Sequence, residues 1–414
     1  MSKFMQLIPN ISKMLDILFL ALLGCMIGII TGLIPGLHVN TVAVIGFGVY
    51  LSLGLNPIQF VVILTAMAIT HTFLNFIPTI FLGAPEEDTA LSILPAHRLF
   101  IQGKSLEAVK LTAIGSLFGL GSALLLLIPA FYLIPLIYSI SRGVIAYILI
   151  IAVLFLILRE KRSRRKFATI TFFISGYLGI LILGHQKLLS PTEVLFPVFA
   201  GLFGLSNIIA SLRSRVISVP QDEFIKVGIE PRFLGSGFLG GVGGAIIGVL
   251  PALSPSQIGV LICEIVRFDV RNFLIIISAI NTSDAIYSLL ALFTIHNPRS
   301  GVAVIVGKVL EINFDIILFL IGVVAFAAFF STILHIKIGG LMARYVGRIN
   351  YRNLCITSLL LILSLVFIFT GFFGLCLALL AIAIGLLPIL SGVSRTHVMG
   401  VLLLPTILYF LGIG

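Results

Sequence analysis

Two short stretches place polar and ionisable side chains inside otherwise apolar runs. One is Thr70-His71-Thr72-Phe73-Leu74-Asn75 and the other is Asn281-Thr282-Ser283-Asp284. Ionisable residues at membrane depth are costly and tend to face a cavity or a partner. Histidine titrates near neutrality, and desolvation makes a carboxylate easier to protonate, so His71 and Asp284 are suited to hold a coupling proton. The oxygens of Thr72, Asn75, Asn281, Thr282 and Ser283 are of the kind that coordinate sodium. These seven residues form the candidate ion-coupling set. The same groups could instead make hydrogen bonds between packed helices.

A second chemistry sits at proline breaks. Residues 28–37 read GIITGLIPGL and residues 244–253 read GAIIGVLPAL. Each is followed by a polar cluster: His38, Asn40 and Thr41 in the first case, Ser254, Ser256 and Gln257 in the second. Proline removes a backbone donor and glycine weakens the helix, so both places predict an interrupted helix. The freed backbone groups survive at membrane depth only if buried in protein or lining a wet cavity. A half-helix that starts after the break turns its positive end inward and favours an anion. Pro35, Gly36, His38, Asn40, Thr41, Pro251, Ser254, Ser256 and Gln257 are therefore candidate substrate-binding residues. A third copy, GLLPIL at 385–390, precedes Ser391, Ser394, Arg395, Thr396 and His397, and adds Arg395 and His397 as partners for an anion. Pro35 and Pro251, Pro85 and Pro298, and His71 and Asp284 share nearly one spacing, which points to an internal repeat. A weaker match is Gly-Lys-x-x-Glu at 103–107 and 307–311.

The elements that must position these residues are membrane helices. Of 414 residues, 59% are hydrophobic and 10% charged, which is far from the composition of a soluble domain. The apolar runs are long and unbroken, unlike the short alternating segments of a barrel. The fold class expected is all-α and polytopic, with roughly ten to twelve crossings in two pseudo-symmetric halves and several broken or re-entrant helices. Residues 1–210 form the first half, 211–233 the linker and 234–414 the second half. Runs 107–129, 131–158, 354–370 and 372–388 are among the expected spans, and 17–34 reads as a first span rather than a signal peptide. The basic loop 159–166 (REKRSRRK) and a second basic loop, 335–352, are assigned to the cytoplasm. The net charge of +11 follows from such loops, so nucleic acid is not an expected partner. Cys25, Cys263, Cys355 and Cys376 are small core residues without metal or redox spacing. The run Glu86-Glu87-Asp88 reads as a solvated helix start, and no metal or cofactor is expected. No phosphate loop, nucleotide fingerprint or hydrolase elbow occurs, so the chain is not read as an enzyme.

The order of motifs resembles the large membrane subunit of the tripartite tricarboxylate transporters, the TctA-type permeases. The resemblance rests on Gly32-Leu33-Ile34-Pro35-Gly36-Leu37, Gly83-Ala84-Pro85, Thr89-Ala90-Leu91, Pro95, Gln102-Gly103-Lys104, Glu107-Ala108 and the second break near Pro251. His38, Val39, Asn40 and Thr41 stand where the family usually has Gly-Pro and small hydroxylated residues. The short, hydrophobic chain looks like an archaeal branch. The resemblance implies secondary transport of carboxylates, often with a small membrane subunit and a binding protein. A multi-pass protein of the cell membrane that moves a small organic anion with sodium or protons is thus the leading expectation. A translocase for a lipid carrier such as a polyprenyl phosphate is the alternative. Membrane lipid is a necessary partner, and the oligomeric state is open, a homodimer included.

Overall fold

The computed structural model describes residues 11–34, 37, 39–82, 93–141, 143–184, 191–212, 219–249, 255–266, 269–346 and 351–413. Helix α1 is Ile11–Leu33, α2 Val39–Val49, α3 Pro57–Leu74, α4 Phe76–Leu82, α5 Ile93–Ile101, α6 Ser105–Leu125, α7 Leu127–Ser141, α8 Ile145–Arg159 and α9 Arg165–Gly184. Helix α10 is Pro191–Phe199, followed by a π-helical turn, Ala200–Leu205, and by α11, Ser206–Leu212. Then come α12 (Pro231–Val249), α13 (Pro255–Val266), α14 (Val270–Ile295), α15 (Gly301–Val309), α16 (Phe314–Tyr345) and α17 (Tyr351–Ser391). A 3-10 turn at Arg395–Met399 leads into α18, Gly400–Leu411. Among the described residues there is no strand.

Among the described residues, seven helices are long and apolar enough to cross a membrane, and an eighth span results if the bent pair α7–α8 counts as one. Two shorter apolar stretches, Val194–Ala210 and Arg395–Leu411, add to these. The protein is an all-α, multi-pass membrane protein. The expected break between 370 and 372 falls at Gly371, whose φ of 64° folds the 41-residue α17 into two arms. The expected single span 131–158 is instead α7 and α8, bent by 91°. The stretch 335–352, expected as a loop, is helical through Tyr345 because Ile336, Ile338, Leu341 and Met342 continue the apolar pattern of α16. The Gly-Lys-x-x-Glu match does not mark equivalent places: Gly103 lies in a turn at φ 76°, whereas Gly307 is inside α15.

Local chemistry starts the helices. Asn56 and Gln59 form a reciprocal capping box with Pro57 as the first helical residue of α3. Asp269, Ser300 and Asn313 cap α14, α15 and α16 through their side-chain oxygens. At its other end α14 stops at His296, at φ 50°, immediately before Asn297-Pro298.

The helices form two bundles, neither built from a continuous piece of chain. The first combines α1–α7 with α12–α16, and the second combines α8–α11 with α17 and α18. In the first bundle a glycine stripe brings α1 against α3. A Cβ on Gly28 would stand 2.6 Å from Thr70 Cβ and 2.7 Å from Met67 O, and one on Gly32 would stand 2.6 Å from Leu74 Cβ. The same construction recurs between α12 and α14, where Gly240, Gly244 and Gly248 meet Ile276, Asp284 and Tyr287. Small residues at four-residue spacing let backbones approach closely where no hydrophobic force drives helices together.

The two constructions run in opposite directions. Glu107, early in α6, pairs at 2.6 Å with Arg271, early in α14, and Arg271 also reaches Glu230, just before α12, at 3.6 Å. Arg344, at the end of α16, meets Glu223 at 2.9 Å. The starts of α6, α12 and α14 thus share one end of the bundle with the end of α16. At the opposite end Ile17 of α1, Ile58 of α3 and Ile316 of α16 line one cavity of about 290 Å³. So α1 opposes α12, α3 opposes α14, and α6 opposes α16. The end that holds Lys104, Arg271 and Arg344 also carries Glu107, Glu223 and Glu230.

Candidate functional site

Helices α1 and α2 pack on each other and on α3. Gly46, late in α2, comes back beside Phe60, early in α3, and Tyr50 stacks on Phe60 at 4.6 Å. Helices α12 and α13 likewise pack on each other, with Gly243 of α12 against Ile258 and Ile262 of α13. The described part of α1 ends at Leu33 and that of α12 at Val249, close to the prolines where breaks are expected. Pro35, Gly36, His38, Pro251 and Ser254 are outside the described residues, and Thr41 and Gln257 fall in α2 and α13. Ser256 is buried in the first turn of α13. Asn40 does not point to open space. Its Oδ1 accepts from the backbone N–H of Val302 at 3.1 Å, so the start of α2 caps α15.

The candidate ion-coupling residues gather where α3 crosses α14. The hydroxyls of Thr72 and Thr282 are 3.4 Å apart. Asn281 Nδ2 donates to Thr72 O at 3.2 Å and to Asn75 Oδ1 at 3.4 Å. All four side chains are buried. His71, 1% exposed, turns instead toward α1: its Nδ1 lies 3.1 Å from Thr31 Oγ1. Thr31 donates its own proton to Gly28 O at 3.1 Å, so the imidazole proton belongs on Nδ1. Ser283 turns toward α12, 3.3 Å from Gly240 O, and also returns its hydroxyl to Ala279 O at 2.7 Å. Asp284 is half-buried, with its backbone against Gly244. His71 and Asp284 therefore take matching places beside α1 and α12.

The glycine near the end of α1 and the one near the end of α12 each pack against a residue that carries a buried donor. Gly32, one turn before the first break, sits against Asn75, where α3 gives way to α4. Asn75 is 1% exposed, and its Nδ2 has no hydrogen-bond partner among the described residues. Gly248, near the end of α12, sits against Tyr287, which is 0% exposed and whose hydroxyl also has no partner among them. Leaving such a donor unsatisfied costs about 1–3 kcal/mol. Tyr287 escaped the sequence reading because an isolated tyrosine in an apolar run looks like core. Its signal was its spacing from Leu74, which it mirrors against the second glycine stripe.

The loop after α14 also gathers polarity near the start of α2. Ser288 Oγ accepts from Ser300 N at 2.7 Å and from Arg299 N at 3.2 Å, and Asn297 donates to Tyr138 Oη at 2.7 Å. The Arg299 guanidinium lies 5.8 Å from the centre of the Tyr138 ring, and burial pulls it below its ordinary pKa. A second buried histidine missed by sequence, His335, joins α16 to α6, with Nε2 3.0 Å from Thr112 Oγ1 and 3.1 Å from Val109 O.

Arg395 and His397 belong to the second bundle. Arg395 meets Phe203 and Ser206 on the far side of the π turn, and His397 meets Glu160 at 3.2 Å.

The family model for the tripartite tricarboxylate transporter TctA family matches residues 18–400. An uncharacterized protein of Methanocaldococcus jannaschii is 30% identical over 408 residues, which cover 96% of this chain and 100% of that relative. Its archaeal source agrees with the archaeal character of this short, hydrophobic sequence. No solved structure matches the chain. A multi-pass helical protein matched over nearly its whole length by one permease model leads to a plain assignment: the chain belongs to the tripartite tricarboxylate transporter TctA family, a family of membrane transport components.

Proposed function

We propose that this protein is a secondary transporter that holds a small organic anion, a carboxylate, between the ends of α1 and α12 and couples its passage to sodium or protons. The observation that carries the reading is the pair of buried donors without a partner among the described residues, Asn75 Nδ2 and Tyr287 Oη, on residues whose backbone or Cβ packs against Gly32 and Gly248. Carboxylate oxygens are acceptors only and would satisfy both. On this reading residues 1–210 and 234–414 are inverted halves joined by 211–233. Inverted repeats with interrupted helices at matching depth are the pattern in which substrate sites lie at the repeat interface. Helices α1 and α12 abut α3 and α14, the most enclosed of the candidate spans, which favours a small solute over a lipid carrier entering from the side. His71 and Asp284, with Thr72, Asn281, Thr282 and Ser283 around them, would take the coupling ion. The family's tripartite systems make a small membrane subunit and a binding protein the natural partners.

The test is uptake into liposomes of labelled mono-, di- and tricarboxylates under imposed sodium and proton gradients. Gradient-driven flux of at least one carboxylate is expected. Tyr287→Phe and Asn75→Ala should each lower it about tenfold, with the protein still folded. Folded protein that carries no carboxylate under either gradient would sink the proposal.

A further inference from the structure

The second bundle contains a cation that its own fold leaves without a counter-charge. Arg395 opens the 3-10 turn between α17 and α18. Its Nη2 donates to Phe203 O at 2.8 Å and to Ser206 Oγ at 3.1 Å. Its Nε and Nη1 are buried and have no hydrogen-bond partner among the described residues. The nearby carboxylate, Glu160, is committed elsewhere: its Oε1 accepts from Ser394 N at 2.6 Å and lies 3.2 Å from His397 Nε2. Among the described residues no acid pairs with Arg395. Removing a guanidinium from water without a partner is strongly unfavourable, so a fold that keeps one there has a reason to supply an acceptor from outside.

The neighbours fit that reason. Phe203 lies in the π turn, Ala200–Leu205, where backbone bonds run to the fifth residue. Such turns re-aim carbonyls and recur at functional sites. The turn is locked in place by close packing on α17, with Gly201 against Ala381 and Gly385 against Leu202 and Ser206. The Ser206 hydroxyl accepts from Arg395 and donates to Leu202 O at 2.7 Å, so the guanidinium is held rigidly by one nitrogen while the other two wait. Glu160 and Arg164 of the basic loop reach the same turn, Arg164 through Gly392 O, which sets the site at the basic-loop end of the bundle.

We propose that Arg395 anchors a second anion site, distinct from the one between the ends of α1 and α12, that takes a phosphate or carboxylate group beside the π turn. The group would satisfy Nε and Nη1 and neutralise the buried charge. A free anion and a lipid headgroup phosphate share this chemistry. The site does not depend on the transport reading, because binding there is measured at equilibrium and without flux.

The experiment uses the full-length protein in nanodiscs. In discs of phosphatidylcholine alone, inorganic phosphate and then citrate are titrated while binding is followed by calorimetry and thermal stability. In a second arm the discs contain phosphatidylglycerol and no added anion. Arg395→Gln should weaken the response about tenfold or more, and Arg344→Gln, at an exposed pair, should leave it unchanged. Arg395→Lys keeps the charge without the planar fork and should bind more weakly than the native protein while folding normally. A response confined to the first arm identifies a free anion; one confined to the second identifies a lipid phosphate. Equal responses in native protein and Arg395→Gln, no response of the native protein in either arm, or native affinity in Arg395→Lys when the Gln variant does not fold, would each overturn the site.

Discussion

The two bundles differ in how far their best-covered helices are enclosed. In the first, 94% of the most apolar window of Pro57–Phe81 and 89% of that of Val270–Ile295 are buried inside the protein. In the second, Arg165–Leu183 reaches 44% and Cys355–Ser391 reaches 39%. Polarity follows the same division. The first bundle carries its hydroxyls and amides at the α3–α14 crossing, bonded to one another across the two helices. The second keeps its charges at one end, around Glu160, Arg395 and His397. Both bundles use glycine to bring backbones together, so close packing alone does not distinguish them. The first covers two helices almost entirely and sets polar groups between them, while the two long helices of the second leave more than half of their apolar stretches uncovered by the protein.

Substitutions can break this contrast at several strengths. The largest effect is expected at the second glycine stripe. A Cβ at Gly244 would stand 2.8 Å from the Asp284 backbone nitrogen, whereas one at Gly235 on the same helix would meet nothing within 4 Å. Gly244→Ala should destabilise the protein by about 1–3 kcal/mol, and Gly235→Ala should be neutral or stabilising, as read by thermal unfolding in detergent. Equal effects at the two positions would show that α12 does not pack on α14 as described.

Next comes the ion pair that joins α6 to α14. Glu107 has a 4% exposed side chain and Arg271 a 48% exposed one. Arg271→Ala strands a buried carboxylate and should cost about 2–3 kcal/mol, and Glu107→Gln with Arg271→Ala should recover part of it. A smaller effect on stability, with a large one on flux, is expected at Asn281. Asn281→Leu removes two bonds of the crossing and should cost about 1 kcal/mol, yet lower uptake severalfold. The smallest effect is expected at Arg344. Its pair with Glu223 has side chains 58% and 35% exposed, so Arg344→Ala should change the melting free energy by less than about 0.5 kcal/mol.

Much of the first bundle was legible in the sequence. The strings GIITGLIPGL and GAIIGVLPAL carry glycines of both stripes and lie where α1 and α12 end, because close approach and helix interruption each demand a residue type. His71 and the Asn281–Asp284 cluster stood out because polarity at membrane depth is rare. Partnership was not legible. Nothing local says that Asn40 caps α15, that Thr31 receives His71, or that Glu160 meets Ser394, since each contact joins positions far apart in the chain. The extent of α16 was misread because Lys337 and Arg344 resemble a loop, although their apolar neighbours continue the helix. Tyr287 and Arg395 need the same lesson: an unpartnered atom is visible only after every neighbour has been placed.

The interleaving of the two bundles has a consequence for how the chain is made. Helices α8–α11 leave the ribosome well before α17 and α18, the segments that complete their bundle. At elongation rates of about 5–20 residues per second, the wait is on the order of ten seconds or more. Throughout that time Gly201 and Ser206 face lipid or an insertion factor instead of α17. The π turn must then hold its place without Arg395, whose guanidinium donates to the Phe203 carbonyl in the finished bundle. Truncation of the last helices would therefore leave an unfinished bundle from the middle of the chain, open to premature pairing with other membrane segments.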